Sequence, residues 1–170
     1  MVPTSQVSSG ASDAPRHPNS RRWVMCEFCG CRSNPEIARL GAEHDTIQEI
    51  AEDVLATASQ DSSPVELLEK LRRAVEPHVL GEEAGVFTQA RMVGISQNYW
   101  VDDLEDDHRR FAEILSDPSA LSSSEIESFL DDLHRHIAIE EYDLFPALFR
   151  TLSDADWTAV ERRATPEENT

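Results

Sequence analysis

A chain of 170 residues with 39% hydrophobic and 28% charged residues has the length and balance of about one globular domain. Its 33 Asp+Glu against 15 Lys+Arg give a formal charge of -18, which argues against nucleic acid or an anionic membrane surface as a partner, since both require a basic footprint. No apolar run approaches the roughly 20 residues that span a bilayer, and no secretory signal core is present, so a cytoplasmic location is expected.

Residues 1–24 are rich in Ser, Pro, Ala and Asn without periodicity and are expected to be disordered; Met25 offers an alternative translation start. Residues 25–33 form a cysteine-rich lead-in, "CEFCGC", holding all three cysteines of the chain: Cys26, Cys29 and Cys31. That spacing suits zinc or another soft metal, or a reversible disulfide between Cys26 and Cys29, although three thiolates alone are one ligand short of a closed zinc site. Three unremarkable reduced cysteines are the alternative.

Four long helices follow, near 35–60, 64–91, 101–117 and 124–151, with a short helix and frayed tail over 152–170. Asn34 before Pro35 signals the first start, Ser63 to Glu66 the second as a capping box, and Ser124 with Glu127 the fourth. Ser153 is expected to cap the last. Nothing alternates like a strand, so the fold class is all-α.

Each helix carries an apolar line spaced by threes and fours. The first runs Ile37, Leu40, His44, Ile47, Ala51, Val54; the third runs Val101, Leu104, His108, Phe111, Leu115. In the second (Leu67, Leu71, Val75, His78, Glu82, Val86) and the fourth (Ile126, Leu133, His136, Glu140, Leu144), a histidine and a glutamate four apart replace two core residues. The chain is also internally repeated: "HVLGEEAGVF" (78–87) aligns without a gap on "HIAIEEYDLF" (136–145), and the helix before each carries an acid followed by a histidine, Glu43-His44 and Asp107-His108.

A single histidine on an apolar line is ordinarily a hydrogen-bonded core residue, but here there are four, together with two carboxylates. Burying carboxylates without compensation costs several kcal/mol each, and metal cations are the simplest compensation. Four imidazoles and two carboxylates at one level suit a pair of iron, manganese or zinc ions with the glutamates placed to bridge. Glu83 and Glu141 follow these glutamates and either hydrogen-bond a ligand imidazole or face solvent; Tyr142 either donates to the site or packs in the core. His134 points to another face than His136, and Tyr99 with Trp100 reads as a plug at one end of the helices. Pro77 is expected to kink the second helix, and Gly81 and Gly85 to leave its side of the site the more accessible.

His44, the His78-x-x-x-Glu82 pair, His108 and the His136-x-x-x-Glu140 pair, in order on four helices over residues 34–151, resemble the metal-ligand pattern of the hemerythrin-like (HHE cation-binding) domain. That resemblance implies an up-down-up-down four-helix bundle, two non-heme iron ions bridged by both carboxylates, and chemistry with dioxygen, hydrogen peroxide or nitric oxide. Oxygen-carrying members have a second histidine one turn from the first in the third helix, where this chain has Leu104 and Ala112. The resemblance therefore points away from reversible oxygen carriage, toward turnover of a bound oxidant or toward a sensor or metal-storage module without turnover.

Overall fold

A computed structural model describes residues 30–60 and 62–164, whose regular structure is all helical with no strand among them. Segment 1–24, Cys26 and Cys29 lie outside the described residues. Among the described residues no helix is long and apolar enough to cross a membrane.

After a 3₁₀ turn at Cys31–Ser33, α1 spans Pro35–Ala58. It starts where the sequence signals: Asn34 Oδ1 accepts from the Glu36 and Ile37 amides at 3.0 and 3.2 Å, and Pro35 occupies a position whose amide has no helical partner. The second rod is compound. It comprises α2 (Val65–Glu82), a π-helical turn (Glu83–Phe87) and α3 (Thr88–Met92). Its expected cap is not made, because Ser63 is exposed and Pro64 occupies the cap position with no side-chain hydrogen bond. The helix runs through Pro77 without interruption, so the break in regular bonding falls beyond Glu82 and not before His78.

The third rod, α4 (Val101–Ile114), begins from Trp100 in the left-handed region (φ 49). No side chain caps it, but Asp102 and Asp103 complement the positive end of the helix, and Arg91 ties α3 to it through Asp102 at 2.7 Å and Glu105 at 2.6 Å. Tyr99 packs on the core, whereas Trp100 is 54% exposed, so only the first of the pair plugs this end.

The fourth rod is compound again: α5 (Ser123–Ile139), a π turn (Glu140–Leu144) and α6 (Phe145–Thr151). Its cap is Ser122 and not Ser124. Ser122 and Glu125 form a reciprocal capping box, and in this register Leu121 and Ile126 flank the cap within one apolar cluster, the arrangement of a hydrophobic staple. Finally α7 (Asp154–Ala164) starts from Ser153, whose hydroxyl and amide exchange hydrogen bonds with Asp156.

The core divides into two apolar clusters. One contains Ile37 and Leu40 of α1, Phe87 and Ala90, Val101 and Leu104, Leu144, Phe145 and Leu148, with Trp157 and Val160 of α7. The other contains Ile47 to Val54 of α1, Leu68 to Val75, Phe111 and Leu115, and Ile126 to Leu133. The beginnings of α1 and α4 thus meet the ends of the second and fourth rods, and the converse holds in the other cluster. His44, His78, Glu82, His108, His136 and Glu140 are buried at chain positions between the two.

Gly85 is where α7 closes down: a Cβ there would stand 3.3 Å from both Val160 Cγ1 and Ala164 Cβ. At Gly81 the Arg39 guanidinium would lie 3.7 Å from such a Cβ. The two glycines therefore admit neighbours, and this side of the site is covered where the sequence suggested greater accessibility.

The cap assignments have a direct consequence for stability. Ser122→Ala should cost about 1 kcal/mol in urea denaturation, as loss of an N-cap does. Ser63→Ala and Ser124→Ala should stay within about 0.5 kcal/mol, as exposed surface changes do. Equal losses at Ser63 and Ser122 would contradict the observed helix starts.

Candidate metal centre

Residues four apart on α2 and on α5 share a face, so His78 and Glu82 project together, as do His136 and Glu140. His44 from α1 and His108 from α4 complete the set. Their potential ligand atoms form two groups, each within 4.8 Å of one another: His44, His78, Glu82 and Glu140 in one, Glu82, His108, His136 and Glu140 in the other. Both glutamates belong to both groups. All six side chains expected from the sequence therefore converge, and the two carboxylates lie between the two pairs of imidazoles.

The inward nitrogens all face carboxylate oxygens. His44 Nε2 lies 3.2 Å from Glu140 Oε2 and 3.6 Å from Glu82 Oε1; His78 Nε2 is 3.2 Å from Glu82 Oε2, and His136 Nε2 is 3.2 Å from Glu140 Oε1. His108 Nε2 is 3.6 Å from Glu82 Oε2 and 3.0 Å from His136 Nε2. Despite these approaches, His44 Nε2 and all four oxygens of Glu82 and Glu140 are buried without a hydrogen-bond partner of good geometry. Five orphaned polar atoms, four of them formally anionic carboxylate oxygens, are what a divalent or trivalent cation pair would satisfy. The residues present fit that group, and the N/O donor set suits iron, manganese or zinc.

The outward nitrogens are each held by an acid. His44 Nδ1 meets Glu141 Oε1 at 3.0 Å, His78 Nδ1 meets Glu43 Oε2 at 2.9 Å, His108 Nδ1 meets Glu83 Oε1 at 3.0 Å, and His136 Nδ1 meets Asp107 Oδ2 at 3.4 Å. An ionised carboxylate only accepts, so Nδ1 carries a proton and Nε2 is the nitrogen that could serve a metal. Of the two alternatives for Glu83 and Glu141, hydrogen bonding to an imidazole of the buried cluster is therefore observed. Glu43 and Asp107 play the same part in the other repeat positions, and sequence reasoning missed it; the available signal was that each directly precedes a core-line histidine.

Two phenylalanines stack on the rings. Phe145 lies parallel to His44 (5.8 Å between centroids, 6° between planes) and Phe87 to His108 (5.3 Å, 9°). Phe111 meets His136 edge to face at 5.3 Å. A small cavity lined by His78, His108 and His136, with Ile47, Val75, Val79, Phe111, Leu133 and Ile137, has room for about one water-sized molecule, roughly 10 Å³.

Other residues singled out from the sequence stand apart. Tyr142 is 40% exposed, which places it neither in the core nor in the buried cluster. His134 is half-buried and outside both ligand groups. Leu104 is buried and Ala112 exposed, so no second ligand comes from α4. Cys31 is buried in the apolar cluster beside α1 and is disulfide-bonded. A disulfide sulfur is not a thiolate, so zinc on three thiolates does not fit Cys31 as it stands, and neither ligand group among the described residues includes a cysteine.

Compared with models of protein families, with curated proteins and with solved structures, the chain shows no match.

Electrostatics of the metal-free site follow from the geometry. Burial alone would lower the histidines, but the facing carboxylates win: Glu140, Glu141 and Glu82 hold His44 well above 6.5, Glu82 and Glu43 raise His78, and Glu140 with Asp107 holds His136 at about 9. Burial conversely would raise Glu82, yet His78 and His44 keep it well below 4.5; Glu140, pushed up by burial and by Glu82, is still drawn down by His136 and His44. Raised histidines stabilise the fold below their unfolded value of 6.5 and lose that contribution as pH rises through the folded value. Depressed glutamates contribute above 4.5 and lose it as pH falls. The melting temperature of chelator-treated protein should therefore be highest between pH 4.5 and 6.5 and fall as pH rises to about 9, whereas metal-loaded protein should not show the alkaline fall. A metal-free profile that stays flat or rises over that alkaline range would contradict the ion-pair description.

Proposed function

We propose that the chain is a hemerythrin-like di-iron protein, an up-down-up-down four-helix bundle that binds or reduces a small oxidant such as dioxygen, hydrogen peroxide or nitric oxide. The observation that carries this reading is that Glu82 and Glu140 each belong to both ligand groups. Two carboxylates shared between two imidazole pairs are suited to bridging two ions and are one more than a single ion requires. The alternating direction of the four rods, inferred from which ends meet in each apolar cluster, is what such a bundle requires.

Bound iron would supply redox equivalents and open coordination positions. The chain would do the rest. Its histidines present Nε2 in fixed orientation because Glu43, Glu83, Asp107 and Glu141 hold Nδ1. With no second histidine from α4, the His108 half keeps room beside it, and the cavity there admits only a molecule of very few atoms. Its apolar walls, from Ile47 to Phe111, exclude bulk water from the same place. A second reading, a redox sensor without turnover, is favoured by the burial of disulfide-bonded Cys31 in the same apolar cluster as Phe87 and Phe145, the residues that stack on His108 and His44.

Two measurements test these readings. Iron-loaded protein should hold two ions per chain and show the near-ultraviolet bands of a bridged ferric pair, and Glu82→Ala combined with Glu140→Ala should abolish binding; full stoichiometry in the double variant would sink the assignment. Mixed with excess hydrogen peroxide, the iron-loaded protein should consume it over many turnovers if it is an enzyme, whereas one stoichiometric spectral change would support the sensor.

A further inference from the structure

The two π turns overlap in the repeat, one residue out of register, but are held differently. In the fourth rod the turn Glu140–Leu144 is followed by Pro146, which has no amide hydrogen and whose ring opposes regular bonding to the carbonyl of residue 142. The departure from α geometry there has a cause within its own helix. The second rod has no proline beyond its turn. Instead two carbonyls of Glu83–Phe87 accept from side chains: Glu83 O from Thr88 Oγ1 at 2.7 Å, and Ala84 O from Arg163 Nε at 3.1 Å.

Arg163 belongs to α7, and its grip is reinforced. A second guanidinium nitrogen donates to Gln89 Oε1, and Gln89 Nε2 donates to Asp156 Oδ1 at 2.7 Å, so the hydrogen bonds run from α7 to α3 and back. The tight approach at Gly85 lies within the same turn. The turn in question starts directly after Glu82 and contains both Glu83, which holds His108 Nδ1, and Phe87, which stacks on the His108 ring.

From this arrangement we propose that Arg163 is a positioning residue for the metal centre: by fixing the π turn Glu83–Phe87, α7 sets the orientation of His108 and hence the affinity of the His108/His136 ion position. The His44/His78 position is oriented by Glu141 and Glu43 and stacked by Phe145; α7 shares an apolar cluster with Phe145 through Trp157 and Val160, but its hydrogen bonds to Ala84 and Gln89 fall on the His108 side. Docking of the C-terminal helix therefore controls one ion of the pair and leaves the other in place. This deepens the two-metal reading and rests on it for the ion-binding arm of the test.

Arg163→Met removes both donors, and Gly85→Leu drives α7 away without touching Arg163. Leu68→Ala, in the opposite apolar cluster, serves as a variant destabilised without contact with α7. Cobalt(II) titrations followed by visible absorption should show two ions bound by the wild type and by Leu68→Ala. In Arg163→Met and Gly85→Leu one ion should bind as before and the other about 10- to 100-fold more weakly. Retention of both ions at wild-type affinity, or a loss that merely follows melting temperature across all three variants, would overturn the inference. A second arm needs no metal: in chelator-treated protein the His108 ring nitrogen resonances should move in Arg163→Met while those of His44 stay fixed. Unchanged His108 resonances would overturn the role of Arg163, whereas a wild type that binds no cobalt while these resonances do move would overturn the two-metal reading and leave the positioning role standing.

Discussion

Two carboxylates buried side by side without hydrogen-bond partners are the constraint around which the molecule is built. Glu82 and Glu140 are fully inaccessible, and each raises the cost of ionising the other. A pair of this kind persists only where positive charge is supplied from close by. In the absence of metal, that charge comes from His44, His78 and His136, which the carboxylates hold protonated; with metal, it would come from the ions themselves. One buried cluster would thus serve two charge states, and both need the helices that carry it at fixed height.

That need explains why the apolar core comes in two pieces. The candidate ligands form a polar layer between the two apolar clusters, which supply the burial that the layer itself cannot. Each piece draws from all four rods, so no rod can slide without breaking contacts in both. The internal repeat acquires a meaning residue by residue. In His-x-x-x-Glu-Glu-x-x-x-Phe, the histidine and first glutamate supply candidate ligand atoms. The second glutamate and the phenylalanine hold the histidine of a different rod: Glu83 and Phe87 act on His108, Glu141 and Phe145 on His44. The two halves are therefore interlocked, each orienting a histidine of the other.

Much of this was legible from periodicity. The apolar lines of α1 and α4 are buried at every expected position, and the His and Glu pairs four apart face inward together, because a 3.6-residue period leaves little freedom once the core side is known. Caps were less legible. "SSSEIE" offers two overlapping boxes, and the choice of Ser122 over Ser124 depends on which register buries Ile126 against Leu121, a tertiary matter. Asp107 and Glu43 were hidden for a related reason: adjacency to a histidine in sequence does not reveal that the acid reaches the histidine of the next rod. The glycines were misread because a bare helix surface looks like open space until the helix that fills it is in place.

The π turns show where sequence reading reaches its limit and why. Pro146 is a local signal, visible in the chain, and it accounts for one turn. Its counterpart at Glu83–Phe87 has no such signal, since the side chains that donate to its freed carbonyls come from Thr88 nearby and from Arg163, 79 residues from Ala84. A π turn widens the helix at a cost in regular hydrogen bonding, so it persists only where something repays the carbonyls it frees. In one half of the molecule the helix cannot do otherwise; in the other, a separate helix must be docked for the turn to hold. Two segments that share the His-x-x-x-Glu-Glu-x-x-x-Phe pattern thus acquire unequal mechanical support, and the site built between them inherits that inequality.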